Sequence, residues 1–491
     1  MTLLLALDLG TSSSRAMLYD GETGNAVPGA IHQISHEPIH GPDGRATLDP
    51  DALVEELVSC SEKTLALANG APIAGVGIST FWHSFAGVDT GGNAATPILL
   101  WSDQRSTPQV ARLRTVMDTI AYSQRTGCPL HTSYLPGRLL WLHDVCPEQF
   151  KASSRFVSPG EYLIGKLFGW ERVTCSTSMA SGTGLLNEAV GGWDEETMWH
   201  IPDLTPEHLS PMGDAPVSGL REPYRTRLAS IADVPWFPAL GDGACSNIGC
   251  GATAPGQLAL MIGTSGALRV VVPGRVPPPL PIGLFRYRID SERSIFGGAL
   301  SNGGSVWAWL KRTIQMPGDS DAAVDAALAT LQPDNHGLTV LPFFSGERAP
   351  LWRDDLRATI TGLSVGTTTL EIVRANLEAV ALRFAAVREA LRPVAGTTES
   401  VVGTGAGLLS SPVWAQMIAD AMGETVALTR EEQASARGAA LWARERLGLG
   451  RIEDAPPVEV AQRVAPDPGH TAIYRRARQR QEALLQRLLS V

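Results

Sequence analysis

The 491-residue chain has no two cysteines separated by two residues. Its six stand singly at positions 60, 128, 146, 175, 245 and 250. That excludes a C-x-x-C redox or zinc motif and points to reduced thiols in a cytosolic, that is cytoplasmic, protein. A basic surplus is also missing: 40 Lys and Arg stand against 50 Asp and Glu, a net charge of −10. A broad nucleic-acid footprint is therefore not expected. Asp8 interrupts the apolar N-terminus after a few residues, and no segment reaches ~18 uncharged apolar residues, so neither a signal peptide nor a membrane partner is expected. A Walker-type phosphate loop is absent too, because its nearest echo, LIGKLFG, carries Leu167 where a hydroxyl residue is required. What is present is an ordinary globular composition, 44% hydrophobic and 18% charged, over a length that requires roughly two to four domains.

The opening stretch LLLALDLGTSSSRAMLYD, Leu3 to Asp20, reads as a buried strand over 3–9, a polar turn, and a second strand over 15–20. The Gly- and Asn-rich DGETGN that follows reads as the next turn. The loop from Gly10 to Ser14 thus joins strand to strand. The pattern returns later: LALDLGTSSSRAM begins at Leu5 and LALMIGTSGALRV at Leu258. Two copies about half a chain apart suggest a duplicated domain. Each hairpin would present backbone N–H groups and hydroxyls. Facing each other across a cleft, the two would hold the ends of a polyphosphate without net positive charge. Asp8 in the first copy corresponds to Met261 in the second, leaving one carboxylate from this pair. A magnesium ion on phosphates needs only one or two protein carboxylates, and Asp8 fits that role. The alternative is a buried Asp satisfied by its own turn.

These motifs resemble those of the FGGY family of carbohydrate kinases. DLGTSSSR is similar to the family's first phosphate motif and Gly263–Gly266 to its second. Ala358–Glu378, with a G-L followed eight residues later by Glu371, is similar to its second signature. Val401–Gly423 resembles its adenosine loop and following helix. The resemblance covers nearly the whole chain. It implies an α/β protein of two ribonuclease-H-like, actin-type ATPase lobes with a cleft between them. The carbohydrate lobe would span 1–253 and the ATP lobe 254–491. It implies ATP and Mg2+ as cofactors, with phosphate contacts at Gly10, Thr11, Ser12, Ser13, Arg15, Gly263, Thr264 and Ser265. Asn302 and Gly303 would approach the phosphates from the second lobe, and Gly405 and Gly407 would allow the adenine to come close. Family members are often homodimers.

The family's catalytic base falls on Asp242 in LGDGACSNIGCG. An acid between two glycines, where an apolar strand ends before the linker 252–256, would sit at the cleft floor. There it would take the proton of a sugar hydroxyl attacking the γ-phosphorus. The competing reading makes Asp242 a helix N-cap, and the two roles can coexist.

Within the family, the first-lobe motifs are most similar to gluconate kinases. His83 and Ser84 match an H-S pair, with Trp82 replacing Met. Asp103 and Arg105 match W-x-D-x-R, and Arg138 stands where a Lys is usual. FFSGERAPLW, Phe343–Trp352, points the same way. A sugar acid needs a cation, and Arg105 and Arg138 are the candidates because a guanidinium grips a carboxylate with two bonds. Each has a structural alternative: Arg105 paired with Asp103, Arg138 a snorkelling helix residue, His83 a satisfied structural histidine. The expected reaction is D-gluconate to 6-phosphogluconate. The alternatives are a neutral ketopentose or polyol (xylulose, ribulose, glycerol, erythritol) and, more remotely, a non-enzymatic actin-like ATPase or sugar sensor. His32, His36 and His40 recur at four-residue steps, but Pro38 and the alternating pattern favour a strand over a metal-binding helix face. The basic, amphipathic stretch 475–489 reads as a terminal helix packed on the second lobe.

Overall fold

A computed structural model describes residues 2–490. The apolar run Leu3–Leu9 forms β1, buried throughout, and pairs antiparallel with β2, Ser13–Asp20. β2 pairs antiparallel with β3, Ala26–Ser35. Helix α1, Pro50–Leu65, starts where Asp49 accepts hydrogen bonds from the N–H groups of Asp51 and Ala52, with Pro50 at its first position. Its Leu53, Val54, Leu57 and Val58 recur at helical spacing and are buried, each stabilising by roughly 1.5–3 kcal/mol. The chain then enters β4, Ile73–Thr80, parallel to β1. After the helix α2, Leu135–Val145, and a long excursion, β5, Leu240–Gly241, runs parallel to β4 and leads directly into α3, Asp242–Gly249.

The second lobe repeats this plan. β6, Gln257–Ile262, and β7, Gly266–Pro273, form the second hairpin. They are followed by β8, Phe285–Arg288, β9, Arg293–Leu300, and helix α4, Gly304–Thr313. Helix α5, Thr369–Ala395, starts with a reciprocal cap in which Thr368 and Glu371 bond each other's backbone N–H. β10, Ser400–Thr404, the helix α6, Pro412–Met422, and β11, Val426–Thr429, follow. The last elements are α7, Ala434–Arg446, β12, Val460–Val464, and α8, Pro468–Leu489.

The first sheet has the order β5-β4-β1-β2-β3 and the second β8-β9-β7-β6-β10-β11-β12. Within the second, β11-β10-β6-β7-β9 has the same order and the same parallel and antiparallel pairings as the whole first sheet. The repeat seen at Leu5 and Leu258 is therefore a repeat of a five-stranded unit, the ribonuclease-H-like arrangement that the family resemblance implied.

Helix α7 crosses from the second half of the chain onto the first sheet, packing against β1, β4 and α3. Glycines permit the crossing. A Cβ on Gly438 would lie 1.9 Å from the Cys245 carbonyl oxygen, one on Gly249 1.8 Å from that of Ala434, and one on Gly77 2.1 Å from that of Ala439. Polar contacts also join the lobes. The Tyr134 and Tyr287 hydroxyls lie 2.6 Å apart, Arg286 pairs with Glu188 at 2.6 Å, and the Gln124 side chain bonds both backbone polar groups of Leu280. Helix α8 buries Tyr474, Ala477, Gln481 and Leu485 along one stripe. Among the described residues no helix is long and apolar enough to cross a membrane, and all six cysteines are free.

Candidate active site

Between the lobes lies a cavity of about 760 Å³ whose wall includes Thr11, His83, Asp242, Gly263, Thr264 and Ser265. Residues as far apart in the sequence as Thr11 and Asp354 thus meet in one cleft. The two hairpin tips are built alike. The Gly10 N–H donates to the Ser13 carbonyl at 2.9 Å and the Gly263 N–H to that of Ser265 at 3.0 Å. Ser12 is exposed beside Thr11, whereas Ser13 is buried as the first residue of β2. His36 braces the first tip, with Nε2 3.1 Å from the Gly10 carbonyl oxygen and Nδ1 2.8 Å from Glu56, which also accepts from Ser14. The second tip is braced from behind: the N–H groups of Gly303 and Gly304 donate to the carbonyls of Thr264 and Gly263.

The register explains the Asp8–Met261 difference. Asp8 faces Arg15 across the first hairpin, and Met261 faces Ala267 across the second. The Asp8 carboxylate accepts from Arg15 at 2.9 Å, and Arg15 also bonds Gln33. Burial raises the pKa of Asp8, opposed by the Arg15 charge. The second hairpin lacks both halves of this pair.

Asp242 is the first residue of α3, and Gly241 holds the cap position. Its side chain accepts from the Gly243 N–H at 2.8 Å, and the Trp82 N–H stands 3.5 Å away. Burial raises its pKa, while the Arg269 guanidinium acts in the opposite sense and the Asp8 charge adds to the rise. The Trp82 indole lies against Gly241 and Gly243, where any Cβ would strike the ring, and its Nε1 donates to the Ser178 carbonyl at 3.0 Å. Trp82 thus walls the cleft beside the acid. His83 adopts φ +65°, and its Nδ1 donates to the Gly182 carbonyl at 2.5 Å. Burial lowers its pKa to about 3. The ring is therefore neutral at physiological pH, with Nε2 as an acceptor for a hydroxyl.

Several expected substrate contacts are engaged elsewhere. Arg105 makes two-pronged bonds to Asp103, the shortest 2.7 Å, and lies 4.1 Å over the Trp141 ring. Asp103 is fully buried and also accepts from the Ala46 N–H at 3.1 Å. This pair fastens the loop to its neighbours. Arg138 is 0% exposed and donates to the carbonyls of Tyr134, Leu99, Leu100, Ser133 and His83. It is neither snorkelling nor free for a carboxylate. Burial lowers its pKa to about 9, so it remains cationic at neutral pH. Ser84 is buried and accepts from the Trp101 N–H at 3.1 Å. Asn302 bridges Gly346 and Ser345 at 3.0 and 3.1 Å and shapes the wall from outside it. Gly405, at φ +103°, crosses so close to β6 that a Cβ would lie 2.2 Å from the Ile262 carbonyl oxygen, whereas Gly407 has no such restriction.

Residues that sequence reasoning missed complete the cleft: Trp101, His131, Tyr134, Arg269, Tyr287, Arg348 and Asp354. His131 accepts from the Ser133 N–H at Nδ1, so Nε2 carries the proton toward Asp354, 2.6 Å away; Thr132 donates to the same carboxylate at 3.0 Å. Arg348 lies within FFSGERAPLW, a stretch whose similarity was legible but whose contact with the first lobe was not.

Two lobes of one repeated fold, each offering a hairpin tip to a shared acid-floored cleft, define a phosphotransferase of the actin-like ATPase architecture. The FGGY carbohydrate-kinase N-terminal domain matches residues 3–249, and the C-terminal domain of the same family matches residues 258–444. The chain belongs to the FGGY family of carbohydrate kinases, and it is a sugar kinase that uses ATP as phosphate donor. It is 27% identical over 460 residues to a gluconokinase of Bacillus subtilis, covering 89% of this chain and 86% of that one. It is 24% identical over 448 residues to a xylulose kinase of Staphylococcus xylosus, covering 90% of each. Among solved structures, a gluconate kinase from Lactobacillus acidophilus superposes with a TM-score of 0.91 at 25% identity, over 99% of this chain and 98% of that one.

Proposed function

We propose that the chain transfers the γ-phosphoryl group of ATP to a hydroxyl of a sugar acid, D-gluconate yielding 6-phosphogluconate. The observation that carries this reading is the place of Asp242. It stands at the head of α3 in a cleft edged by both hairpin tips, with a carboxylate oxygen facing neutral Trp82 and cationic Arg269. In this reading Asp242 takes the hydroxyl proton as the oxygen attacks phosphorus, and Thr11, Thr264 and Ser265 with their N–H groups hold the phosphates. His83 accepts from a substrate hydroxyl. The similarity to gluconokinases favours a sugar acid, and the arginines of the cleft agree with it.

Hard oxygen donors fit Mg2+. Asp8 is close enough to Asp242 for its charge to raise the Asp242 pKa, and the buried Ser79 hydroxyl lies beside the Asp8 carboxylate. Asp8 would hold the ion, which neutralises phosphate charge when bound. Closure of the lobes would exclude water from the transfer. The test is ATP consumption with a panel of gluconate, xylulose, ribulose, glycerol and erythritol. The reading predicts turnover with gluconate well above the neutral sugars. Turnover confined to a neutral sugar would replace gluconate by that sugar.

A further inference from the structure

We infer that Arg348 selects the charge of the substrate: its guanidinium grips the carboxylate of the sugar acid, reaching from the second lobe to the sugar motifs of the first. This rests on the sugar-acid reading above and says which residue enforces it.

Arg348 lines the cleft and stands 4.9 Å over the Trp101 ring. One nitrogen, Nη2, donates to the Leu300 carbonyl at 2.9 Å. Its Nε is buried and has no acceptor among the described residues. The neighbouring acids are already engaged: Asp354 by His131 and Thr132, and Glu347 by the buried Arg383. The other charged group facing it is Arg269, of like sign, and the Tyr134 and Tyr287 hydroxyls nearby stay protonated because burial raises their pKa values. A guanidinium with an unmet donor and no salt bridge of its own among the described residues, drawn only by the Asp354 charge beyond contact distance, is costly to hold in a partly desolvated wall. A carboxylate relieves both deficits, and the hydroxymethyl end of a neutral polyol relieves neither fully.

The other cations of the region are ruled out one by one. Arg105 is committed to Asp103, Arg138 to five carbonyls and Arg15 to Asp8. Arg45 is exposed at the rim, where water screens its charge. Arg269 also has a buried nitrogen without a partner, but it faces Asp242 and packs on Gly243, at the transfer end. The carboxylate would therefore bind away from Asp242, and the hydroxyl that reacts would be remote from it along the sugar chain.

The experiment compares kcat/KM for gluconate with kcat/KM for D-glucitol, which has the same chain with a hydroxymethyl in place of the carboxylate. In Arg348→Gln the gluconate-to-glucitol ratio should fall roughly 100-fold, through the KM for gluconate more than through kcat, since bonds to a charged group are the stronger ones. Arg348→Lys should restore part of it. A loss shared equally by both substrates, or an unchanged gluconate KM, overturns the assignment. In the unmodified enzyme, gluconate should also protect Arg348 from phenylglyoxal where glucitol does not, a readout that needs no variant to fold. Equal labelling with both overturns it as well. If gluconate is phosphorylated and the ratio survives in Arg348→Gln, only the role of Arg348 falls. If the enzyme phosphorylates neutral sugars and no sugar acid, the sugar-acid reading falls and this one with it.

Discussion

Replacing Asp242 by Asn separates its chemistry from its place in the fold. Asn is nearly isosteric and still accepts the hydrogen bond that the Gly243 N–H donates at 2.8 Å. Gly241, not Asp242, holds the cap of α3, so the helix keeps its start. What is lost is the basic oxygen. General-base assistance is worth roughly 10²–10⁴-fold, about 2.7–5.4 kcal/mol of barrier at ~1.36 kcal/mol per decade. Stability should move the other way. Burial raises the pKa of this carboxyl above its ordinary 3.8, so the folded protein binds the proton more readily than the unfolded chain. The contribution of the acid to stability is thus greatest at low pH and is lost as pH rises through its folded pKa. At neutral pH the ionised group is a cost that Asn removes. Asp242→Asn should therefore keep or raise Tm at pH 7 while kcat for gluconate falls by two to four decades and ATP still binds. The acid limb of kcat/KM in the unmodified enzyme should lie above the ordinary Asp value. Turnover near the unmodified rate, or a fall in Tm that accounts for the lost activity, refutes the reasoning.

Arg138→Leu leaves five buried carbonyls without their shared donor. It should cost at least about 3 kcal/mol and lower activity toward gluconate and neutral sugars alike. A stable variant that loses gluconate alone would return Arg138 to the substrate site. Gly438→Ala pushes a methyl to within 1.9 Å of the Cys245 carbonyl oxygen where α7 crosses α3. Overpacking of this kind costs about 1–3 kcal/mol, read as an earlier denaturant midpoint, and an unchanged midpoint would mean that the crossing relaxes freely.

The parts of the site that could be read from the sequence are those whose chemistry is contiguous. A hairpin tip needs only Gly10 and its hydroxyl neighbours, and its echo at Gly263 is visible because the flanking strand repeats with it. Asp242 falls on the G-D motif that the family resemblance marks, and two glycines flanking an acid at a strand end agree with it. The strand assignment around His32 and the terminal helix at 475–489 follow from spacing alone, and both appear in the structure. What escaped is whatever folding assembles from a distance. Arg105 and Arg348 are equally cationic in the sequence, and only the fold shows that the first is bound to Asp103 while the second faces the cleft. Arg138 misled for the same reason, since nothing in LPGRLLWL announces that five carbonyls will converge on one side chain. Tyr134 and Tyr287 come from different lobes, 153 residues apart, and meet only when the second sheet is set against the first.

The most direct test is the product itself. Incubation of the protein with ATP, Mg2+ and D-gluconate, followed by phosphorus NMR, should give one new phosphomonoester on the C6 hydroxyl, formed in step with ADP. Inorganic phosphate and ADP without a phosphorylated sugar acid would contradict the account.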